Sequence, residues 1–408
     1  MRIVTALLVT LALVVPSACG ASTGSTSLDS LYAGRRWTEL YKAVQSRKDQ
    51  VFFRGVVAAV FGEDSTAERL LRSVIVSSPH SEQAYESYEW LTHIYFRNGR
   101  YRTLMANMEA RWAAFPNKPE LKQEQTALAG FRGLPDQTAS KAKYAELHHD
   151  PNQIFIPLRI ENTPATYFFD TGAWMNCMSA SEAKRLGLTI RDIQGTTGTA
   201  TGQRVGFRTA VAREVTIGAM RFSNVSFAVF DDNEEPWPSL APGRRGAIGI
   251  PLILAFRTLR WSEDGTVEIG SKGKKPDPIR ANLFFDDDHL LTSARLNGTD
   301  IRATLDTGAE TTDLYLPFAT RFPALVQAGA KMSMDIRGVG NKQTFDSIAV
   351  PEVRFELGRE NVVLKPAHVF LKDLGAKNCI GNFGIDLLMQ AHVFRIDFGA
   401  MRLDLEDR

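Results

Sequence analysis

Cysteine is nearly absent from this sequence: three residues among 408, at positions 19, 177 and 379. So sparse a set excludes a disulfide-dense scaffold, and no two of them have zinc-ligand spacing. An excess of one charge is missing too. Forty-eight Lys and Arg against 46 Asp and Glu give a formal net charge of +2, so the basic footprint of a nucleic-acid partner is not there. The 7 histidines contain no His-Glu-x-x-His, and the adjacent His148 and His149 read as solvated loop. Neither a zinc hydrolase nor any resident metal or cofactor is expected. Past the N-terminus no apolar run approaches the roughly twenty residues of a membrane span. The composition is globular, 44% hydrophobic and 23% charged, and the chain is long enough for two or three domains.

The first residues read as an address. Arg2 precedes an apolar run from Ile3 to Val15, which breaks at Pro16 into small residues. This is the pattern of a signal peptide, assigned to residues 1–21, and it predicts export. Ser17 and Ala18 before Cys19 resemble a bacterial lipoprotein box, which makes Cys19 a lipidation candidate and a membrane anchor. Plain secretory cleavage nearby is the other reading. The protein is therefore expected in the periplasm, as an outer-membrane lipoprotein, or secreted.

Residues 22–138 carry a helical pattern. Trp37, Leu40, Tyr41 and Val44 recur at three and four residues, as do Leu70, Leu71, Val74 and Ile75. Gly62 and Gly99 stand 37 residues apart, as do Pro79 and Pro116, a spacing that resembles degenerate tetratricopeptide-type helix pairs. Near Ala139 the texture changes to short alternating segments with Gly, Asn, Thr and Pro between them, which predicts strands and hairpins. A polar Gly- and Pro-bearing linker at 273–281 divides this β region into lobes at 139–272 and 282–408. The predicted fold class is multidomain, an all-α, helical-repeat-like region followed by an all-β pair of lobes.

The two lobes repeat each other. Residues 159–173 and 295–309 align without a gap, and Asp170, Thr171, Gly172, Ala173 are identical to Asp306, Thr307, Gly308, Ala309. In both copies a turn signal (Glu161 and Asn162; Asn297 and Gly298) joins two strands, and the returning strand alternates, so each acid follows a buried strand. Glycine-rich turns come next, at Gly198 and Gly202 and at Gly338 and Gly340. An apolar segment then meets a glycine, at Ile248 and Gly249 in the first copy and at Ile380 and Gly381 in the second. Each copy closes on a hairpin, Leu259 to Ile269 and Phe394 to Leu405.

Over residues 141–408 these features resemble the two-lobed aspartic proteases of the retropepsin and pepsin clan. The resemblance implies that Asp170 and Asp306 form a catalytic pair and that Thr171, Gly172, Thr307 and Gly308 shape its loops. It implies that Ile248–Gly249 and Ile380–Gly381 thread beneath those loops, and that hairpins near 198–203 and 338–342 act as flaps over a polypeptide substrate. Both lobes lie in one chain, so a monomer suffices. Two carboxylates about 3 Å apart cannot both ionise cheaply, so they share a proton; one activates water as the other donates to the peptide carbonyl. Ala173 and Ala309 stand where pepsins place a hydroxyl, as they do in retropepsins, which predicts a pH optimum less acidic than a pepsin's. The alternative function is a non-catalytic module that binds peptide in the same cleft, with the helices recruiting a protein partner.

Several other signals point less far. Ser181 and Lys184 have Ser-x-x-Lys spacing, but Ser179 with Glu182 predicts a helix capping box there. Asp286, Asp287 and Asp288 read as a hydrated lead-in. Cys177 and Cys379 are either paired or buried thiols.

Overall fold

The computed structural model describes residues 27–140, 144–148, 155–199, 201–270, 277–372, 374 and 379–406. The expected signal peptide with Cys19, His149 and residues 273–276 of the expected linker lie outside them.

Among the described residues seven helices lead: Leu28–Ala33, Trp37–Val44, Val51–Val60, Asp64–Ser77, Glu82–Arg97, Tyr101–Ala114 and Glu120–Ala127. The third and fourth make one antiparallel pair and the fifth and sixth the next. Gly62 (φ +73°) and Gly99 (φ +65°) turn the chain at corresponding points, which is what the 37-residue spacing encodes; a left-handed φ costs a side-chain-bearing residue energy that glycine avoids. Leu40, Leu71, Leu91 and Leu104 are fully buried between the helices.

Each lobe is built around one hairpin. Phe155–Ile160 pairs with Thr163–Phe169, and His289–Leu296 with Thr299–Leu305. Both turns place two residues at positive φ, Glu161 (47°) and Asn162 (65°), then Asn297 (50°) and Gly298 (73°), the type I′ geometry whose twist matches that of the strands it joins. Ala165, Tyr167 and Phe169 point into the first lobe's core, and Ile301, Ala303 and Leu305 into the second's. The return strand Thr163–Phe169 lies parallel to Gly246–Ile248, which runs antiparallel to Asn176–Ser179, itself parallel to Met220–Phe230. The second lobe repeats this order with Thr299–Leu305, Gly381–Phe383, Asp313–Leu314 and Ala367–Phe370.

The closing hairpins of the two lobes merge. Thr258–Ser262 pairs antiparallel with Val393–Asp397, Trp261 stacks on Phe394 at 5.8 Å, and one five-stranded sheet takes strands from both lobes. Its outer strand, Ala145–His148, carries His148, so this histidine belongs to an exposed strand rather than to the loop expected from sequence. A single apolar cluster runs through both lobes, and so fixes their relative position.

The helical region is docked on this body. Arg35 pairs with Asp286 and, at 3.0 Å, with Asp287, while Trp37 Nε1 donates to Asp286 Oδ2 at 3.2 Å. Asp286 is 4% exposed, which corrects the reading of this acidic run as a hydrated lead-in: its counter-charge lies 251 residues away in sequence. Arg97 covers the Phe285 ring at 4.1 Å, and Gln137 Nε2 donates to Pro251 O at 2.7 Å.

Candidate active site

The acids lie one residue beyond their strands. Asp170 N–H donates to Ile248 O (3.1 Å) and Asp306 N–H to Phe383 O (3.0 Å), so each acid is tied to the strand threading beside it. The two loops then meet on a pseudo-twofold axis. Thr171 Oγ1 donates to Leu305 O at 2.7 Å and accepts from Thr307 N–H at 3.0 Å. Thr307 Oγ1 donates to Phe169 O at 2.8 Å and accepts from Thr171 N–H at 3.1 Å. Both threonines are fully buried. Four reciprocal bonds in a dry setting hold the loops at one separation.

That separation brings the carboxylates together. A Cβ added to Gly172 would fall 2.6 Å from Asp306 Oδ1, and one on Gly308 2.6 Å from Asp170 Oδ1; only glycine leaves room for the opposite acid. Asp170 Oδ1 accepts from Gly172 N–H (2.9 Å) and Ala173 N–H (3.0 Å), and Asp306 Oδ1 from Gly308 N–H (2.9 Å). Burial, then the charge of Asp306 and a hydrogen bond with it, hold Asp170 well above the usual carboxylate range, against the pull of the two backbone donors. Both acids are half-buried and Gly172 is exposed, so the pair opens on solvent.

The support beneath the loops requires a correction. In the first lobe Gly249 precedes Ile250, whose N–H donates to Ala173 O (2.9 Å); in the second, Gly384 precedes Ile385, whose N–H donates to Ala309 O (2.9 Å). Gly249 N–H is held by Asn176 Oδ1 (3.0 Å) and Gly384 N–H by Thr312 Oγ1 (2.9 Å). A Cβ at Gly249 would lie 2.6 Å from Met175 O, and one at Gly384 2.7 Å from Thr311 O. Phe383 and Gly384 thus occupy the places of Ile248 and Gly249. Ile380 and Gly381, selected from sequence, enter the same strand three residues earlier. The signal that finds the right pair is the following Gly-Ile-x-Leu, Gly249 to Leu252 and Gly384 to Leu387, at 79 and 78 residues after the acids. Sequence reading also missed Asn382, whose Nδ2 donates to Asp306 Oδ2 at 2.8 Å.

The two glycine-rich turns crown hairpins. Ile190–Gly198 and Arg204–Ile217 meet through a turn in which Gly202 N–H donates to Thr199 O at 2.9 Å. Ala330–Gly338 and Asn341–Val350 meet around Val339 and Gly340. Each tip reaches across: Gly340 N–H donates to Glu235 O of the first lobe at 3.1 Å, and Gly202 faces Leu374 of the second. The first hairpin is backed from outside by the helical region, through Phe131 on Phe207 at 5.6 Å and Arg191 on the Gly130 and Arg132 carbonyls.

The remaining candidates sit apart from this cleft. Ser179 Oγ accepts from Glu182 N–H (3.2 Å), but Glu182 turns to Tyr167, Arg185 and Gly243 N–H instead of back to Ser179. The capping box is therefore only half made. Ser181 Oγ is held by Arg245 (3.0 Å) in the same helix start. Cys177 and Cys379 are separate buried thiols, and among the described residues no group of three acid, His or Cys side chains is set to hold a metal.

Residues 156–252 match the model of a family described as aspartyl protease, a span that runs from the first lobe's hairpin through Gly249. No curated protein matches the sequence. A solved structure described as a retropepsin-like aspartic protease from Rickettsia conorii aligns with 33% of this chain and 92% of its own, at 13% identity and a TM-score of 0.23. With the family match in one lobe and the same strand order repeated in the other, the β-rich region has an aspartic protease fold.

Proposed function

We propose that the protein is an aspartic endopeptidase in which Asp170 and Asp306 act as one dyad on an extended polypeptide. The observation that carries this reading is the pair itself: two carboxylates, each pressed against the glycine of the opposite loop, above loops that four threonine bonds lock together. The two acids share one proton. The ionised member of the pair takes a proton from a water lying between the acids, and Gly308 N–H and the Asn382 amide fix the Asp306 oxygens beside it. The water oxygen attacks the peptide carbonyl carbon, the protonated member donates to the carbonyl oxygen as charge develops there, and collapse of the tetrahedral adduct passes a proton to the leaving nitrogen. The flap hairpins cover the strand and keep bulk water from the pair.

In this reading the helical region serves as a repeat-type platform for a protein partner and a brace for the first flap. The leader sends the chain out of the cytoplasm, with Cys19 as its anchor if lipidated. The test is digestion of a denatured protein by the intact chain, with and without a pepstatin-type transition-state mimic, followed by Asp170→Asn and Asp306→Asn. Cleavage that the mimic blocks and either substitution abolishes is expected. Full activity in either variant would overturn the dyad; binding without cleavage by the unsubstituted protein would favour a peptide-binding module.

A further inference from the structure

The two lobes share a backbone, but the walls they turn toward the acids differ in chemistry. In the second lobe Thr304, Asn382, Asp313 and His368 are register partners on four neighbouring strands. Residues opposite one another in a sheet project to the same face, so these four form a lateral row. Thr304 Oγ1 bonds Asn382 Oδ1, and Asn382 in turn donates to Asp306; the row therefore lies on the face that carries the dyad. The matching row of the first lobe is Phe168, Ala247, Cys177 and Ala228, four residues without a charge. Ala247, Cys177 and Ala228 are buried there among Phe207, Phe230 and Trp237.

Asp313 stands one strand beyond Asn382, about 5 Å farther from the reacting bond. It is half-buried, and among the described residues its carboxylate has no hydrogen-bond or ion-pair partner. Its neighbours deepen the need for one. Burial, then the charges of Asp386 and Asp306, push its carboxyl up to about 7. Asp386 is already held by Thr312. Burial holds the His368 imidazole below its usual range, and its Nδ1 is buried without a partner, so His368 does not supply the missing cation.

Resting on the proposed peptidase activity, we infer that Asp313, flanked by His368, forms a specificity subsite on the second lobe for a cationic side chain, lysine or arginine, one or two residues from the scissile bond. An extended peptide advances about 3.3 Å per residue with side chains on alternate faces. A side chain near the cleaved bond thus reaches this wall, and its ammonium or guanidinium supplies the counter-charge that the fold omits. The matching row of the first lobe, apolar and closed, offers no such counter-charge. The protein thereby discriminates by the charge of one substrate residue, without altering the chemistry at the dyad.

The experiment compares two peptides that differ only in lysine or norleucine at the varied position, scanned over the two residues on each side of the bond. Cleavage gives kcat/KM, and reduced-bond versions of the same peptides give affinity without catalysis. Wild type is expected to favour lysine by about tenfold to a hundredfold at one position, the range of a hydrogen bond to a charged partner. In Asp313→Asn and in Asp313→Val that ratio falls toward one or reverses; because it is internal to each variant, partial misfolding does not imitate it. Equal handling of lysine and norleucine by wild type, or a ratio that survives both substitutions, overturns the subsite while leaving the peptidase reading standing. Reduced-bond peptides that bind with the lysine preference but are never cleaved keep the subsite and sink the peptidase. Failure of every peptide to bind sinks both.

Discussion

Removing one hydroxyl beneath the dyad tests the geometry most directly. Thr171→Val keeps the volume of the side chain but deletes two bonds, the donation to Leu305 O (2.7 Å) and the acceptance from Thr307 N–H (3.0 Å). Both abandoned groups are buried, and each buried orphan costs about 1–3 kcal/mol. The expected destabilisation is therefore about 2–6 kcal/mol, measured as the shift in a urea or guanidinium midpoint. Thr307→Val deletes the mirror pair of bonds and should cost a similar amount. Because all four bonds form one network, the double variant should cost less than the sum, by about 0.5–3 kcal/mol. Activity should fall more than folding does, since a loosened grip lets the carboxylates separate and lose their shared proton. Thr171→Ser restores the hydroxyl and should recover both. A valine variant within about 0.5 kcal/mol of wild type, or a serine variant as impaired as valine, would refute the claim that the grip sets the spacing of the acids.

Four other expectations follow from the same structure. Ala309→Ser brings a hydroxyl within reach of the dyad; a donor to the ionised form lowers its apparent pKa, so the acid limb of the kcat/KM profile should move to lower pH, and an unmoved limb would count against the alanine argument. Asp286 already stands at about 6 because burial outweighs Arg35 and the Trp37 donor; Arg35→Ala leaves it buried and unpaired, at a cost of about 3–5 kcal/mol, and hydrogen exchange over residues 28–44 should rise selectively. With a folded value above the unfolded one, this carboxyl stabilises fully below about pH 4 and loses that contribution as pH rises through about 6, so the docked helices should open more readily at neutral pH than at pH 5. Burial pushes the Cys177 thiol up, and both thiols lie inside the fold; a thiol reagent should count two of them in residues 27–408 only after denaturation, and fast labelling of the native protein would contradict their placement.

The amino-acid sequence alone determined what is written locally or written twice. Type I′ turns, strand alternation, the duplicated Asp-Thr-Gly-Ala and the glycine-tipped hairpins each declare themselves within about a dozen residues, and duplication made two weak signals one strong one. The same logic failed where local pattern had two solutions: Ile380–Gly381 looks as apolar-then-glycine as Phe383–Gly384 does, and only the register beside Leu305 separates them. Asp286 read as solvated because its partner Arg35 lies in the helical region, remote in sequence. Asn382 and Asp313 carried no motif at all; their meaning is their place in a row of strands that are distant along the chain. The shared sheet between the lobes was equally invisible, since two closing hairpins give no hint that they will pair with each other. Short-range sterics and periodicity are properties of a segment, whereas counter-charges, facing walls and the distance between two acids exist only once remote segments have packed.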